Sequence, residues 1–435
     1  GRAVIGDWDG DGELDIVFVE GGQIIVRSAE NVEILRRELG LPPGSSPTLL
    51  GLWDVAGNAA AEPIFSWEDN SDANLTALNQ HLVPTRRWRV SGAALGNDGI
   101  YKRTAFGDPL FVDLDHDGRK EMFGLLGTAH KGGLRHLVRL DPESPPSDPR
   151  PPLWMLEMAA SPRVAAAQPI DLDGDGRDEL LIGTHATDNA EKIASDGTTD
   201  SQTHLWAINM DGKVLWRKEI SDLFTTVYPL VVDLDGDGDE EIYAWVGGAS
   251  VDRERKGLPT AGRLLQLAKD GSIVAERRTQ FDLNSALVVP PATPGGAGCI
   301  LVSDHDGRVH RFGHGLPPQA ASQVEAPQYT DVPIKLHAVV DLDGDGEREI
   351  VATIQQRQYF GEPNPGNPDG DRNTIHIHRP RVIVLDEQLR LVDQWQIAER
   401  WKDPRMLDVK VGRVDAKGEP AIVVAADKVY VLRLR

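Results

Sequence analysis

The sequence predicts an all-β fold, a β-propeller of seven four-stranded antiparallel blades. Three observations support this. An acidic motif occurs five times in the 435 residues, each time followed by a short apolar run typical of a strand. Neighbouring copies are about 60 residues apart, as between Asp113, Asp171 and Asp233. Asp-Gly pairs between alternating apolar runs, such as Asp211-Gly212, indicate tight hairpins inside the repeats.

The acidic motif has the spacing of a metal-binding loop. Its clearest copy is Asp171 to Glu179, with carboxylates at positions 1, 3, 5 and 9 and a glycine at position 6. Carboxylates at alternate positions of a tight turn converge on one point, and Ca²⁺ takes about six to eight oxygen ligands. The main-chain carbonyl at position 7 is the natural additional ligand, which leaves the side chain there free to vary.

We therefore predict about five Ca²⁺ ions, one per loop. The predicted ligands at positions 1, 3, 5, 7 and 9 are Asp7, Asp9, Asp11, Glu13 and Asp15; Asp113, Asp115, Asp117, Arg119 and Glu121; Asp171, Asp173, Asp175, Arg177 and Glu179; Asp233, Asp235, Asp237, Asp239 and Glu241; and Asp341, Asp343, Asp345, Glu347 and Glu349.

Two other interpretations of the motif fit less well. An EF-hand needs a bidentate Glu at position 12 and flanking helices. Position 12 is instead occupied by residues that cannot coordinate through their side chains, namely Phe18, Gly124, Ile182, Ala244 and Ala352. A solvated acidic turn without metal would leave five clusters of like charge to repel one another. The predicted unit is therefore strand, calcium loop, strand.

The N-terminal part departs from the repeat. Val32, Leu35 and Leu39 fall on one face at helical spacing, which predicts one short helix over residues 29–39. Residues 41–105 contain no acidic motif, so we predict an insertion there.

Two further repeats have lost the motif. Their corresponding loops are Pro290 to Gly298, which contains no acid, and Gly412 to Glu419, which carries cations where carboxylates would be needed. Five intact and two degenerate repeats give seven blades, the last of them one strand short. A strand from upstream of Gly1 or from the insertion would complete it. We predict a single propeller domain over residues 1–435 with a helix-containing insertion at about 28–105.

The composition of the chain argues against some classes of binding partner. The formal net charge is −22, largely from the loop carboxylates, which argues against nucleic acid and anionic membranes because both need Lys/Arg patches. No apolar run is long enough to span a membrane. The single cysteine, Cys299, lies in an apolar run and is predicted to be a buried strand residue. Because the first acidic loop begins so close to Gly1, we expect the chain to be part of a larger precursor.

The repeated run Val-Asp-Leu-Asp-Gly-Asp-Gly, followed two residues later by Glu-Ile, resembles the FG-GAP/VCBS repeat. This repeat is the calcium-binding blade of integrin α-subunit propellers and of many secreted bacterial proteins. The integrin signature Phe-Gly...Gly-Ala-Pro is not clear here, so the bacterial VCBS type is the closer match. The resemblance covers nearly the whole chain except residues 28–105. It implies an extracellular, periplasmic or cell-surface protein whose calcium loops join the first and second strands of the blades on one face.

On the opposite face, the connections between second and third strands are long in four repeats. Long loops on one face of a rigid scaffold often carry binding. Residues that suggest a polar, cationic-leaning mouth for an anionic sugar or peptide are His185, Arg253, Arg255, Arg357, Tyr359, His376 and His378.

No Ser/His/Asp arrangement, zinc signature or phosphate loop stands out, so the sequence identifies no catalytic residue. The leading hypothesis is a non-catalytic, calcium-stabilised propeller for extracellular recognition, adhesion or scaffolding, with a protein or glycan ligand on the long-loop face. The alternative is a polysaccharide-active enzyme, because the chain also resembles calcium-dependent rhamnogalacturonan lyases, which include calcium-loop propellers with similar repeats.

Overall fold

Nearly all regular structure in the computed structural model is β-strand. The structure describes residues 3–55, 57, 59–69, 72–91, 104–107, 109–128, 135–187, 193–248, 257–291, 293, 295–324, 332–360, 374–397, 400–401, 408–415, 420–426 and 429–434, without the side chains of 104–105, 128, 357–360, 374–379 and 400–401. None of the helical structure in these residues is long and apolar enough to cross a membrane.

The strands of the first half form four antiparallel sheets. Sheet 1 comprises β1 (Ala3–Gly6), β2 (Asp15–Glu20), β3 (Gln23–Ser28) and β4 (Glu33–Glu38). Sheet 2 comprises β5 (Thr48–Trp53), β6 (Glu62–Asp69), β7 (Asp72–Leu78) and β8 (Pro84–Val90). Sheet 3 comprises β9 (Thr104–Phe106), β10 (Leu110–Val112), β11 (Glu121–Thr128), β12 (Arg135–Leu140) and β13 (Trp154–Met158). Sheet 4 comprises β14 (Ser161–Pro162), β15 (Gln168–Ile170), β16 (Glu179–His185), β17 (Thr203–Ile208) and β18 (Val214–Ser221).

The strands of the second half form four more. Sheet 5 comprises β19 (Thr225–Val232), β20 (Glu241–Gly248), β21 (Arg263–Leu267) and β22 (Ile273–Arg278). Sheet 6 comprises β23 (Leu283–Val289), β24 (Cys299–Asp304), β25 (Arg308–Phe312) and β26 (Pro318–Gln323). Sheet 7 comprises β27 (Ile334–Val340), β28 (Glu349–Phe360), β29 (Thr374–Leu385), β30 (Leu391–Gln396) and β31 (Arg400–Trp401). Sheet 8 comprises β32 (Asp408–Arg413), β33 (Pro420–Ala425) and β34 (Val429–Leu432).

Where a sheet has five strands, one strand position is split between two short segments. In sheet 3, β9 and β10 pair with the same edge of β11. In sheet 4, β14 and β15 pair with the same edge of β16, and a 3₁₀ turn at Val164–Ala166 separates β14 from β15. At the outer edge of sheet 7, β30 and β31 both pair with β29. Sheets 4 and 5 are joined by one backbone pairing, His185 with Thr226. The repeating unit is therefore four antiparallel strand positions.

The predicted helix over residues 29–39 is wrong, because β4 is a strand. It pairs antiparallel with β3, with Gln23 opposite Glu38. Val32, placed on the buried face of the predicted helix, is 60% exposed. An outer strand needs few apolar residues, so cross-strand pairing outweighs the weak helical spacing.

The predicted insertion contains a sheet of its own. The four strands β5 to β8 form sheet 2, which has the same antiparallel order as its neighbours. When sheets 4 and 5 are separated at the pairing of His185 with Thr226, the described residues form eight repeating units, one more than the seven blades predicted. The sequence count missed this blade because its first loop has lost most of the acidic motif.

The eight sheets close into a ring through eight apolar clusters. Each cluster contains buried residues from two sheets that follow one another in the chain. The eighth joins sheet 1 to sheet 8, packing Ile5 and Ile16 with Val423. The backbone N–H of Leu14 donates to the carbonyl of Arg413 at 2.8 Å across the same junction. Radial packing closed by its ends is the architecture of a β-propeller.

Tryptophans on the outermost strands tie neighbouring sheets together. In three consecutive sheets the indole Nε1–H donates to a backbone carbonyl in a turn of the next sheet. The pairs are Trp88 with Asp141 (2.6 Å), Trp154 with Met210 (2.9 Å) and Trp216 with Lys269 (2.9 Å). Cys299 is buried in β24, as predicted.

Candidate metal loops and the opposite face

Each of the five acidic loops connects the first and second strand positions of a sheet. The loop of sheet 4 runs from Asp171 to Glu179, between β15 and β16, and the others lie in sheets 1, 3, 5 and 7. Because the first strand of each blade leads into this connection, the five loops lie on the same face of the ring.

Backbone hydrogen bonds hold the first carboxylate of the loop. In sheet 4, the N–H of Gly174 donates to Asp171 Oδ1 at 2.7 Å and the N–H of Gly176 donates to Oδ2 at 3.1 Å. Both glycines have positive φ, 78° and 83°. Only glycine adopts this conformation without strain, which is why the motif carries glycine at position 6.

The remaining carboxylates are oriented in the same way. The N–H of Asp175 donates to Asp173 Oδ1 (3.2 Å), and the N–H of Arg177 donates to Asp175 Oδ1 (2.9 Å). The N–H of Leu172 donates to Glu179 Oε2 (3.0 Å) across the base of the loop. Each bond uses one oxygen or one lone pair, so other lone pairs of the same carboxylates can serve a cation.

The other four loops repeat this pattern. The bond from the position 2 N–H to the position 9 acid joins Trp8 to Asp15 (3.2 Å), Leu114 to Glu121 (2.8 Å), Leu234 to Glu241 (2.8 Å) and Leu342 to Glu349 (2.8 Å). Carboxylate oxygens of different residues lie within 4.8 Å of one another in the sets Asp7, Asp9 and Asp15; Asp113, Asp115 and Glu121; Asp171, Asp173 and Glu179; and Asp233, Asp235, Asp237 and Glu241. These sets have the chemistry of a hard-cation site.

The position 9 acid is buried in the loops of sheets 1, 3, 4 and 7 and half-buried in that of sheet 5. Asp15 is 6% exposed and Glu179 is 4% exposed. Burial, followed by repulsion from the loop's aspartates, raises the pKa of Asp15 to about 7. Burial is also the main cause that raises the pKa of the corresponding glutamates, Glu121, Glu179, Glu241 and Glu349. A cation among the oxygens would favour the charged form of these acids.

Position 7 uses its backbone and leaves its side chain outside. The position 7 N–H donates to the aspartate at position 5 in each loop, at 2.7 to 2.9 Å. The side chains of Arg119, Arg177, Asp239 and Glu347 are exposed, and that of Glu13 is half-buried. This matches the expectation that the side chain at this position can vary.

Sheet 2 contains a degenerate copy of the loop that sequence reasoning missed. The N–H of Val55 donates to Glu62 Oε2 at 2.8 Å, and the N–H of Ala59 donates to Asp54 Oδ2 at 3.2 Å. These bonds correspond to those of positions 2 and 6 in the acidic loops. Gly57 and Ala59 have positive φ, 70° and 69°, as do the glycines of the intact copies. The detectable signal was the eight-residue separation of Asp54 and Glu62, the same as between positions 1 and 9.

The degenerate loop carries a fixed cation of its own. The guanidinium of Arg86 lies 3.1 Å from Glu62 Oε1, and both side chains are largely buried. An arginine therefore neutralises the acid at position 9, and alanine replaces the carboxylate at position 3. We do not assign a metal to this loop.

The opposite face carries a cavity of about 220 Å³ near sheets 3, 4 and 5. The first strands run towards the acidic loops, so the segment that precedes β15 lies at this other end. The cavity is lined by Leu125, Pro162, Arg163, Val164, Ala165, Ala166 and Tyr228. The Tyr228 ring stacks on Trp245 with centroids 4.3 Å apart. The cavity thus combines an aromatic wall with one cationic side chain.

Arg163 is anchored through its backbone, and part of its guanidinium is buried. Its backbone N–H donates to the carbonyl of Gly183 at 2.9 Å. Its Nε is buried and has no hydrogen-bond partner among the described residues. Burial of a donor without a partner is costly, so the guanidinium is suited to receive an anion.

His185 is the predicted ligand-face residue whose side chain the structure describes. Its Nδ1 lies 3.0 Å from the carbonyl of Thr225 and 2.7 Å from Thr226 Oγ1. Burial and the nearby Arg163 and Arg135 lower the pKa of His185 to about 4. The imidazole is therefore neutral near pH 7. His185 is not one of the residues that line the cavity, and its role in ligand binding stays a prediction.

The remaining ligand-face candidates are described only in part or not at all. Arg253 and Arg255 lie outside the described residues. Arg357 and Tyr359 lie on β28, and His376 and His378 lie on β29; only their backbones are described. The two strands pair antiparallel as far as Phe360 opposite Thr374, so both described ends of this connection lie in a β-ladder.

No family model matches the chain, and no curated protein matches it. Among solved structures, the Dos1 propeller is similar to the whole chain, with a TM-score of 0.51, 11% identity and 92% of its own length covered. The WD40 domain of SCAP from fission yeast has a TM-score of 0.43 at 8% identity, covering 99% of this chain and 91% of that one. The exotype rhamnogalacturonan lyase YesX has a TM-score of 0.39 at 14% identity, covering 97% and 81%.

These similarities concern the fold. The Dos1 propeller supports the conclusion drawn from the ring of sheets, and an identity this low carries no information on activity or ligand. The resemblance to the FG-GAP/VCBS repeat is not confirmed by a family model and remains a prediction. What the geometry and the comparison establish together is that the chain folds as a β-propeller.

Proposed function

We propose that this chain is a calcium-stabilised β-propeller that recognises an anionic ligand at the face opposite its acidic loops. The observation that carries the proposal is the hydrogen-bond scaffold shared by the five loops, which brings carboxylate oxygens within 4.8 Å of one another in the loops of sheets 1, 3, 4 and 5. Five Ca²⁺ ions would lie between the oxygens of positions 1, 3, 5 and 9, with the position 7 carbonyl as a further ligand.

The residues present fit calcium. The donors are oxygens, and the position 9 acid is buried where a charge is costly without a counter-ion. Each bound Ca²⁺ would make the formal net charge of −22 less negative. Weak calcium sites are filled where calcium is about 10⁻³ M, as it is outside cells, so we place the protein in an extracellular, periplasmic or cell-surface setting.

The proposed ligand site is the cavity at Arg163. A carboxylate placed there would satisfy the buried Nε–H and accept a charge-assisted hydrogen bond, while a sugar or peptide group could pack on Tyr228. A larger cavity of about 560 Å³ between sheets 2 and 3 is a weaker candidate. Its cation, Arg89, is paired with Asp72 at 2.5 Å, and its remaining lining is mainly proline and tryptophan.

We expect acidic glycans or acidic peptides to bind the protein, and Arg163→Gln to weaken that binding. Loss of a charge-assisted hydrogen bond costs about 1.5–3 kcal/mol, which corresponds to a fall in affinity of about tenfold or more. The measurement is an array of uronate-bearing glycans and acidic peptides, followed by titration calorimetry on the best ligand. Arg177→Gln is the matched control, because Arg177 is exposed on the acidic-loop face.

Equal loss of affinity in both variants would contradict an assignment to the Arg163 cavity. Binding that is unchanged in Arg163→Gln would do the same. The enzymatic alternative is tested with rhamnogalacturonan and related acidic polysaccharides. Formation of an unsaturated product, followed by its ultraviolet absorbance, would overturn the choice of a non-catalytic module.

A further inference from the structure

The acidic loop of sheet 5 has a histidine nitrogen that converges with its carboxylate oxygens. His314 lies in the turn between β25 and β26 of the neighbouring sheet. Its Nδ1 is 3.6 Å from Asp235 Oδ2 and 3.7 Å from Glu241 Oε1. The nitrogen and the two oxygens all lie within 4.8 Å of one another. In the loops of sheets 1, 3 and 4, the convergent atoms are carboxylate oxygens alone.

The position of His314 is fixed by packing. Leu316, two residues on, is 1% exposed and belongs to the same apolar cluster as Leu234 and Tyr243 of sheet 5. The turn is closed by the N–H of Leu316, which donates to the carbonyl of Gly313 at 3.0 Å. The hydroxyl of Tyr243 lies 3.4 Å from His314 Nδ1. The imidazole therefore faces the loop because the interface between sheets 5 and 6 holds it there.

The distances are longer than direct hydrogen bonds. An N–H···O bond to a carboxylate is about 2.7–3.2 Å, so His314 does not form an optimal one with either acid. Two ligands of one ion, each about 2.1 Å from it, lie about 3.0–3.5 Å apart. The observed separations of 3.6 and 3.7 Å are close to that range. The three atoms are therefore close enough together to bind one ion.

One imidazole changes the preference of an otherwise oxygen-lined site. Ca²⁺ uses oxygen ligands and gains little from a nitrogen, whereas divalent first-row transition ions bind mixed imidazole and carboxylate sites well. We propose that Asp235, Glu241 and His314, with the other carboxylates of this loop, form a site for a divalent transition-metal ion of the Mn²⁺ or Zn²⁺ class. This rests on the proposed role of the acidic loops as metal sites.

The test uses the full chain without a histidine tag, saturated with calcium, and Mn²⁺ as the probe. We expect one Mn²⁺ per chain to bind in excess calcium, with a nitrogen coupling in its pulsed electron paramagnetic resonance spectrum. His314→Ala should abolish the nitrogen coupling and lower Mn²⁺ affinity by about tenfold or more, as outer-sphere changes alone already cost about 10–100-fold. The melting temperature in calcium reports whether the variant folds.

His116→Ala is the matched control. His116 belongs to the sheet 3 loop but is not one of its predicted metal ligands. Its Nε2 lies 3.5 Å from Asp178 Oδ2 of the next sheet. This variant should keep the Mn²⁺ site. Two results would overturn the transition-metal site and leave the proposed function standing. One is a wild-type chain that binds calcium but binds no Mn²⁺ when calcium is in excess. The other is a nitrogen coupling that survives in His314→Ala. A chain that binds no calcium overturns the proposed function as well.

Discussion

Removal of calcium with EDTA is expected to lower the melting temperature by about 10 °C or more. An ion at about 100 times its Kd contributes about 2.7 kcal/mol to the free energy of unfolding, so five sites together contribute about 13 kcal/mol. That is comparable with the entire stability of a typical domain, about 5–15 kcal/mol. A melting curve with and without EDTA, restored by adding calcium back, makes the measurement.

A pair of aspartate variants separates metal binding from general loss of charge. Asp173→Ala removes a ligand from the sheet 4 loop, whereas Asp306→Ala changes an aspartate in the turn between β24 and β25. In calcium, Asp173→Ala should be the less stable of the two. In EDTA this difference should vanish or reverse, because the variant no longer has the repulsion within its loop. A melting temperature unaffected by EDTA would show that calcium is not structural.

The second large effect concerns Asp15 in calcium-free protein, where Asp15→Asn should be more stable than wild type at pH 8 by up to about 4 kcal/mol. The folded state raises the pKa of Asp15 from 3.8 to about 7. Stability from a group with a raised pKa is present below the unfolded pKa and is lost as pH rises through the folded pKa, at about 1.36 kcal/mol per unit. Wild type therefore loses stability between about pH 4 and 7, and the variant does not.

Calcium should invert this ranking. With the ion bound, the carboxylate of Asp15 is a ligand, and Asp15→Asn should be less stable than wild type at pH 8. The asparagine oxygen can still accept the hydrogen bond that the N–H of Trp8 donates to Asp15 Oδ2. Chemical unfolding at pH 5 and pH 8, with calcium and with EDTA, gives the four values. Asp148→Asn, at an exposed position outside the loops, is the control, and an identical response in both variants would contradict the role given to Asp15.

The strand–loop–strand unit could be predicted from the sequence because its determinants are local. The loop of Asp171 to Glu179 carries its own glycines, carboxylates and flanking apolar runs, so nine residues specify the turn. Hairpins such as the one at Asp211-Gly212 were predictable for the same reason: β17 and β18 lie on either side of it. Local rules fix both the turn and the register.

Sheets 1 and 2 show where local rules fail. In β4, apolar residues at helical spacing suggested a helix, yet the edge of β3 offers unpaired backbone groups that only a strand can use. In sheet 2, the loop kept its backbone conformation after losing the carboxylate at position 3 and the glycine at position 6. Ala59 holds a positive φ of 69° there, although its residue type gives no sign of it.

Contacts between different sheets could not be predicted from the sequence either. His314 reaches the loop of Asp233 to Glu241 only because the next sheet packs against it. The unpaired Nε of Arg163 depends on three sheets meeting around one cavity. Neither residue belongs to a repeat motif, so spacing along the chain does not reveal it.

A crystal structure of the chain grown with calcium as the only divalent cation tests the metal sites most directly. We expect five Ca²⁺ ions, one in each acidic loop, each about 2.3–2.6 Å from its carboxylate oxygens. The degenerate loop of Asp54 to Glu62, with Arg86 at its acid, should hold none. Calcium in fewer than four of the five loops would contradict the claim that these loops are the protein's metal sites.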